Sequence, residues 1–193
     1  MARYGKEHKE ATRQRILEAA GRRFKRDGID GSGIATLMAD AGLTNGAFYA
    51  HFTSKDDLVA TAVADQLRTQ RERYRQLPTD SGIEQVVRAY LSAEHRDNPP
   101  EGCPSAALLD EIARCDDVTK QAYTQGMLAI ADDLAILVAP QDPASVRART
   151  LSALALMIGT LQMSRAIADR RLADQILEQG VQNTLALLNG RAR

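Results

Sequence analysis

The stretch that decides the fold is residues 37–58, LMADAGLTNGAFYAHFTSKDDL. Its apolar residues recur every three or four positions, which is the spacing of amphipathic helices and not of strands. Gly42 lies between two such runs and tolerates the left-handed backbone of a sharp turn. Residues 34–52 therefore predict a helix-turn-helix, two short helices joined by a tight turn.

The residues before this helix pair predict a third helix, against which the pair can bury a hydrophobic core. A segment over about residues 10–27 carries Ile16, Ala20 and Phe24 on one face and arginines elsewhere, and Gly28 follows as a stop. The sequence thus predicts an N-terminal three-helix unit.

The rest of the chain also follows a helical period, and we expect an all-α protein of about nine helices. Ser54 predicts a helix start, with its hydroxyl as the cap and Asp57 bonding back three residues later. The proline-containing breaks at 97–102 and 140–143 separate further segments. These helices are predicted at 54–76, 82–96, 104–114, 117–138, 144–169 and 172–188.

The charge balance divides the chain into two parts. There are 25 Lys and Arg and 25 Asp and Glu, giving no net charge. Residues 1–55, however, carry a net +4 and residues 56–193 a net −4. A basic part that ends near residue 55 and an acidic remainder therefore suggest two jobs on one chain.

Several classes of protein find no support in the residue pattern. Cys103 and Cys115 are too few for a disulfide framework or a four-cysteine zinc site, and the three histidines lie far apart, so no metal and no cofactor is expected. The titratable neighbours Glu94–His95 and Asp110–Glu111 do not face one another on a helix, so we do not expect an enzyme.

The sequence also favours a reduced, cytoplasmic location. Residues 1–10 are polar and charged, unlike a secretory signal. The longest uncharged run, 150–164, is shorter than the roughly 20 apolar residues that a membrane span requires. We therefore expect no membrane contact.

Three quoted stretches carry a specific resemblance. Residues 28–31, 37–44 and 46–58 resemble the DNA-binding domain of the tetracycline-repressor (TetR) family, above all in the run Gly46-x-x-Tyr49-x-x-Phe52-x-Ser54-Lys55. The resemblance covers about residues 10–60. The chain departs from the common pattern at Gly33, where a Thr or Ser usually caps the second helix, and at Met38, where a small residue is common.

This resemblance implies a homodimer in which each protomer places one helix in the major groove of operator DNA. Thr44, Asn45 and Gly46 would face the bases, with Asn45 able to pair bidentately with adenine. Tyr49, His51 and Lys55 would contact phosphates; for His51 a purely structural role stays open. The basic N-terminal residues either add salt-dependent phosphate attraction or form a solvated tail; they are Arg3, Lys6, Lys9 and Arg13.

The resemblance further implies a DNA-binding domain over 1–55 and a helical ligand-binding and dimerisation domain over 56–193. In the second domain a small-molecule effector would bind, and two helices of each subunit would form the dimer interface. Apolar stripes for that interface, or alternatively for an intramolecular core, are Leu151, Leu154, Ile158 and Leu161, then Leu172, Ile176, Leu185 and Leu188. Candidate ligand-binding residues, for which plain core packing is the alternative, are Tyr90, Cys103, Leu108, Ile112, Tyr123, Met127, Met157 and Leu161.

Cys103 supports a second hypothesis. It precedes Pro104 at a predicted helix start, where a thiol can become a reactive thiolate, although Glu101 opposes this. The motif Gly102-Cys103-Pro104-Ser105-Ala106-Ala107-Leu108 also resembles a TetR subgroup in which some members respond to electrophiles or oxidants. The chain is thus expected to be a ligand-responsive repressor, with a thiol-based sensor, an inert cysteine and an architectural DNA binder as the alternatives.

Overall fold

The computed structural model describes residues 2–76 and 82–190, and side chains from residue 7 onward. Within these ranges the chain is all-α and contains no strand, as predicted. Three short 3₁₀ helices, over 45–50, 99–101 and 143–146, join the α-helices. The nine α-helices of the described ranges are α1 (Ala2–Asp27), α2 (Ile34–Asp40), α3 (Lys55–Arg75), α4 (Gly82–Tyr90), α5 (Ala93–Asp97), α6 (Ser105–Ile112), α7 (Asp117–Val138), α8 (Arg147–Ala166) and α9 (Arg170–Leu188).

The N-terminal unit packs as the periodicity predicts. Ile16, Ala20 and Phe24 of α1 are buried against α2 and the helix that follows it. Gly42 has φ +67°, and the Leu43 amide donates to the Met38 carbonyl, which closes the turn. The second helix of the pair differs from expectation, because residues 45–50 form a 3₁₀ helix that no side chain caps.

The starts of α2 and α3 show which residues cap these helices. Helix α2 begins after Gly33 without a side-chain cap, while the Ser32 hydroxyl donates instead to the Gly28 carbonyl at 2.7 Å. At α3 the Ser54 hydroxyl accepts from the Asp57 amide, as predicted. The Asp57 carboxylate bonds one residue earlier than a capping box requires, to the amide and hydroxyl of Thr53.

Helix α3 belongs to both halves of the molecule. Its first turns bury Leu58 and Val63 beside α1, and Leu67 packs against Gly126 of α7, where a Cβ would lie only 2.6 Å from a Leu67 methyl group. Near its end, Arg71 and Arg75 both donate to the carboxylate of Asp133 on α7, at 2.6–3.0 Å. Each guanidinium uses two N–H groups, the strong bidentate form of this interaction.

Three helices begin or break at places that the periodicity did not predict. Helix α1 starts at Ala2 instead of near residue 10. The predicted helix over 82–96 breaks at Leu91–Ser92, where the Ser92 hydroxyl accepts from the His95 amide and starts α5. Helix α8 starts at Arg147, after a 3₁₀ turn that Asp142 caps.

Helices α8 and α9 pack closely on each other. Leu154, Ile158 and Leu161 of the predicted interface stripe are buried inside the chain, so this part of the stripe is core. An adjacent face of α8 is open and carries mostly small side chains, namely Ser152, Ala155, Gly159, Met163 and Ala166. On α9, Leu172 is exposed while Leu188 is buried.

Among the described residues, no single helix is long and apolar enough to cross a membrane. Segments 117–138 and 143–166 together have the length and composition of a membrane span, but they are bent by 112° relative to each other.

Replacing Asp133 with Asn should lower the free energy of unfolding near pH 7 by roughly 1–2 kcal/mol, because a neutral amide cannot hold two guanidinium groups bidentately. Hydrogen bonds from Arg71 hold the pKa of the Asp133 carboxyl below its ordinary 3.8. This contribution is therefore present above pH 3.8 and is lost as the pH falls through the lower folded-state pKa.

Urea unfolding between about pH 7 and pH 2.5 measures this difference. Asp132→Asn, which removes the more exposed pair with Arg147, is the matched control and should cost less. Equal losses at the two positions would contradict the assignment.

Candidate DNA-binding surface and regulatory cavity

The start of the 3₁₀ helix forms an open surface. Thr44, Asn45 and Gly46 are exposed, and a Cβ at Gly46 would meet nothing within 4 Å. Tyr49 is 70% exposed, whereas its neighbour Phe48 is fully buried. The segment thus presents short polar side chains and one phenol outward while a phenylalanine anchors it from beneath.

The anchor is an aromatic stack that reaches α1. The rings of Phe48 and Phe52 stack with centroids 5.8 Å apart, and Tyr49 meets Phe48 edge-on at 5.1 Å. The Arg13 guanidinium lies 4.8 Å from the Phe52 ring centroid, a cation–π contact. Phe48 and Phe52 are therefore core residues, as the sequence indicates, and they fix the position of the exposed segment relative to α1.

His51 and Lys55 are less exposed than the residues before them. His51 is half-buried, and its Nδ1 is buried without a hydrogen-bond partner among the described residues. Burial, followed by the nearby charges of Lys9 and Arg13, lowers the pKa of His51, so the ring is neutral near pH 7. Lys55 is half-buried and lines a small cleft with the acidic residues Asp30 and Glu111.

The basic N-terminal residues are helical in the structure. Lys9 is exposed and Arg13 half-buried on α1. The side chains of Arg3 and Lys6 lie outside the described residues.

Two contacts join this N-terminal unit to the helical body. The Glu111 carboxylate of α6 accepts from the amide of Ile29 at 2.6 Å and from that of Asp30 at 3.4 Å. Lys25 of α1 is only 7% exposed, and its ammonium donates to the Gly102 carbonyl at 2.9 Å. Burial lowers the pKa of Lys25 to about 8.

A cavity of about 300 Å³ lies between α3, α4, α5 and residues 98–102. Of the predicted ligand-binding residues, Tyr90 lines it. The cavity also has lining residues that the sequence did not single out, including Arg73, Tyr74 and His95. Tyr74 is half-buried and follows the buried Leu67 by two helical turns, a spacing that could have identified it, but only the break after α4 brings His95 to the same wall.

The other predicted ligand-binding residues lie in the core. Leu108 and Ile112 are buried in one hydrophobic cluster, and Met157 and Leu161 in a second. Tyr123 donates to the Ser105 hydroxyl at 3.1 Å, and that hydroxyl donates to the Met127 sulfur at 3.3 Å. Cys103 is 4% exposed in the second cluster, directly after the cavity-lining Gly102.

His95 connects the cavity wall to Cys103. Its Nε2 accepts from the Cys103 amide at 2.9 Å, which leaves Nδ1 to donate to the Tyr90 carbonyl at 2.7 Å. This hydrogen-bonding pattern assigns the neutral tautomer protonated on Nδ1. Burial lowers the pKa of His95 to about 4, so the ring stays neutral at physiological pH.

Arg165 and Lys25 place positive charge around the same wall. Arg165 donates to the carbonyls of His95, Arg96 and Ala106 at 2.8–3.2 Å, and burial lowers its pKa. Neither cation forms a carboxylate ion pair within 4.0 Å among the described residues. Both cations interact electrostatically with the Cys103 side chain.

An exposed helix start within a helix-turn-helix, held on a helical body, is the arrangement of a DNA-binding transcriptional regulator. The family model "Bacterial regulatory proteins, tetR family" matches residues 16–62. The HTH-type transcriptional regulator SrpR of Pseudomonas putida is 30% identical over 155 residues, which cover 69% of this chain and 71% of SrpR. The chain therefore belongs to the TetR family.

Other relatives match over shorter or more divergent segments. The HTH-type transcriptional regulator AcrR of Shigella flexneri is 41% identical over 58 residues, 30% of this chain and 27% of AcrR. The chain spans 27–45% of the length of the first curated relatives that it matches. The crystal structure of E. coli NemR in its reduced form shares the fold, with a TM-score of 0.73 and 16% identity over 90% of this chain and 95% of that one.

If Asn45 pairs bidentately with adenine, as the resemblance implies, replacing it with Ala should weaken binding to the preferred DNA by about 5- to 100-fold and relax the base preference at one position. Replacing Tyr49 with Phe should instead weaken binding to all sequences similarly, because a phosphate contact carries no base preference. Fluorescence anisotropy with a set of single-base DNA variants separates the two patterns. Gln121→Ala on α7 is the control, and an equal loss there would contradict the assignment.

Proposed function

We propose that this chain is a ligand-responsive repressor that releases a palindromic operator when a small molecule binds its C-terminal domain. The observation that carries the proposal is the position of the 300 Å³ cavity. It touches α3, which continues into the DNA-binding unit, and Gly102, which Lys25 of α1 contacts. A molecule in this cavity therefore lies against two of the connections to the DNA-binding residues, helix α3 and the Lys25–Gly102 contact.

In this proposal the DNA-binding domain comprises residues 1–55, and each residue of its open surface has a role. Thr44, Asn45 and Gly46 face the bases, and their exposure and the free space at Gly46 support this role. Tyr49 and His51 contact phosphates. Lys55 meets a phosphate at the start of α3, where its charge adds to the free amides of the helix end.

Residues 56–193 provide dimerisation and ligand binding in the same proposal. The open face of α8 around Ala155 and Gly159, beside Leu172 of α9, supports a four-helix interface with a second copy. Two-fold symmetry then places two reading surfaces on successive major grooves. The chain acts as a cytoplasmic regulator that requires no metal or cofactor and performs no catalysis.

The effector works by binding one arrangement of the dimer better than the other. A ligand shifts a conformational equilibrium only by its difference in affinity for the two states. If the ligand fits the arrangement whose reading surfaces do not match the operator spacing, DNA and ligand weaken each other's binding equally. Tilting of α3, which both halves share, is the proposed movement.

Selection of bound DNA from random fragments tests this function. A repressor dimer is expected to enrich a palindrome whose half-sites lie about one helical turn, or a multiple of it, apart. Enrichment of no sequence, together with affinity set by salt alone, would replace the proposal with an architectural DNA binder.

A second candidate function is thiol-based sensing through Cys103. It is favoured by the position of Cys103, which directly follows the cavity-lining Gly102 and whose amide is hydrogen-bonded to His95 of the cavity wall. An electrophilic quinone would add to the thiolate, forming a carbon–sulfur bond with no leaving group and taking up a proton from water. The adduct would then occupy the wall between Gly102 and the core.

Treatment with a thiol-alkylating quinone separates the two functions. If Cys103 is a sensor, the quinone should release DNA from the wild type and from Cys115→Ser, but not from Cys103→Ser. Cys115 is the matched control because it is the more exposed thiol. Equal release from all three proteins would remove Cys103 from the mechanism.

A further inference from the structure

Residues 101–102 form a wall shared by two cavities. The first is the 300 Å³ cavity between α3, α4 and α5. The second, of about 220 Å³, lies between α1 and α3 and is lined by Lys25 on the α1 side. Glu101 and Gly102 line both, so any molecule that displaces them from one side changes the other.

Backbone groups of three consecutive residues hold this wall in place. The Glu101 carbonyl accepts from Arg73 of α3 at 2.8 Å, and the Gly102 carbonyl accepts from Lys25 of α1 at 2.9 Å. The Cys103 amide donates to His95 of α5 at 2.9 Å. Each hydrogen bond reaches a different helix, so the position of the wall depends on the relative positions of α1, α3 and α5.

The wall has little room to adjust. A Cβ on Gly102 would lie 2.6 Å from Nε2 of His95 and 3.3 Å from a guanidinium nitrogen of Arg165. A side chain at position 102 would therefore have to displace His95 or Arg165, and both of these are hydrogen-bonded to backbone carbonyls.

The Lys25 contact is costly to lose without a movement of α1. Lys25 is a buried residue, and the Gly102 carbonyl accepts a hydrogen bond from its ammonium. A buried ammonium that loses its acceptor forfeits a charge-assisted hydrogen bond. Rotation of α1, which would return the ammonium to water, relieves that cost.

We propose that the Lys25–Gly102 hydrogen bond is the contact through which occupation of the cavity is communicated to the DNA-binding unit. This inference rests on the proposed function, because it specifies how the effector site of that function acts on DNA binding. Filling the cavity displaces the wall of residues 101–102, breaks the Lys25–Gly102 hydrogen bond and releases the C-terminal end of α1. The Phe48–Phe52 stack then moves with α1, because Arg13 and the buried face of that helix hold it.

A tryptophan placed in the cavity replaces the unidentified effector in the test. Ala89 lines the 300 Å³ cavity, and Ala89→Trp fills part of it. Ala122→Trp is the matched control, because Ala122 lines a cavity of about 240 Å³ between α3 and α7 that does not include the wall. Ala89→Phe is the second variant if the indole prevents folding.

Hydrogen exchange of the full-length protein gives a readout that requires no DNA. Ala89→Trp should speed amide exchange over residues 22–31 by about fivefold or more, whereas Ala122→Trp should not. Lys25→Met alone should speed amide exchange over residues 22–31 in the same way, and adding Ala89→Trp to that variant should change the exchange rate little. Arg26→Met, an exposed neighbour paired with Asp27, should exchange like the wild type.

Affinity for DNA obtained by selection gives the second readout. Ala89→Trp should weaken binding about tenfold in the wild-type background and less than about threefold beside Lys25→Met. Equal effects of Ala89→Trp in both backgrounds, or unchanged exchange over residues 22–31, would overturn the inference. Failure to select any DNA would refute the proposed function alone, since the exchange measurement still decides the Lys25–Gly102 contact.

Discussion

The structure depends on one helix that must pack against two bodies at once. Helix α3 buries Leu58 and Val63 beside α1, and its later turns lie against α7, where Gly126 leaves room for Leu67 and Asp133 holds two arginines. Neither body can rotate about α3 without losing contacts on the other side. Any movement between the DNA-binding unit and the helical body is therefore a movement of this helix or of the few contacts that bypass it.

The elements that local chemistry determines were predictable from the sequence. Helix α7 follows its predicted bounds because Asp116 caps it and a proline-containing turn follows it, and Ser54 starts α3 as expected. The 3₁₀ form of residues 45–50 was not predicted, because 3₁₀ and α periodicities hardly differ over six residues. The exposed residues at 44–46 were nevertheless identified correctly as exposed, since the burial of Phe48 fixes the outward direction.

The cavity was much less predictable than the helices. Seven of the eight proposed ligand-binding residues lie outside the lining of the 300 Å³ cavity, because an apolar residue at helical spacing has the same pattern in a core and in a pocket. The wall depends on long-range contacts such as Lys25 with Gly102, which are 77 residues apart and leave no periodic signal. The position of His95 depends on a helix break that only the Ser92 cap indicates.

Gly102 has a consequence for how this protein could diversify. Its φ of −82° is ordinary, so the position needs a small residue for space and not for backbone freedom. Ala89 of α4 also lines the cavity, but it forms none of the three hydrogen bonds that hold the wall, so its side chain is free of that restriction. Substitutions at such positions could therefore change which effector the cavity binds without altering Gly102 and the hydrogen bonds of the wall. Related proteins with different effectors could then share one response mechanism.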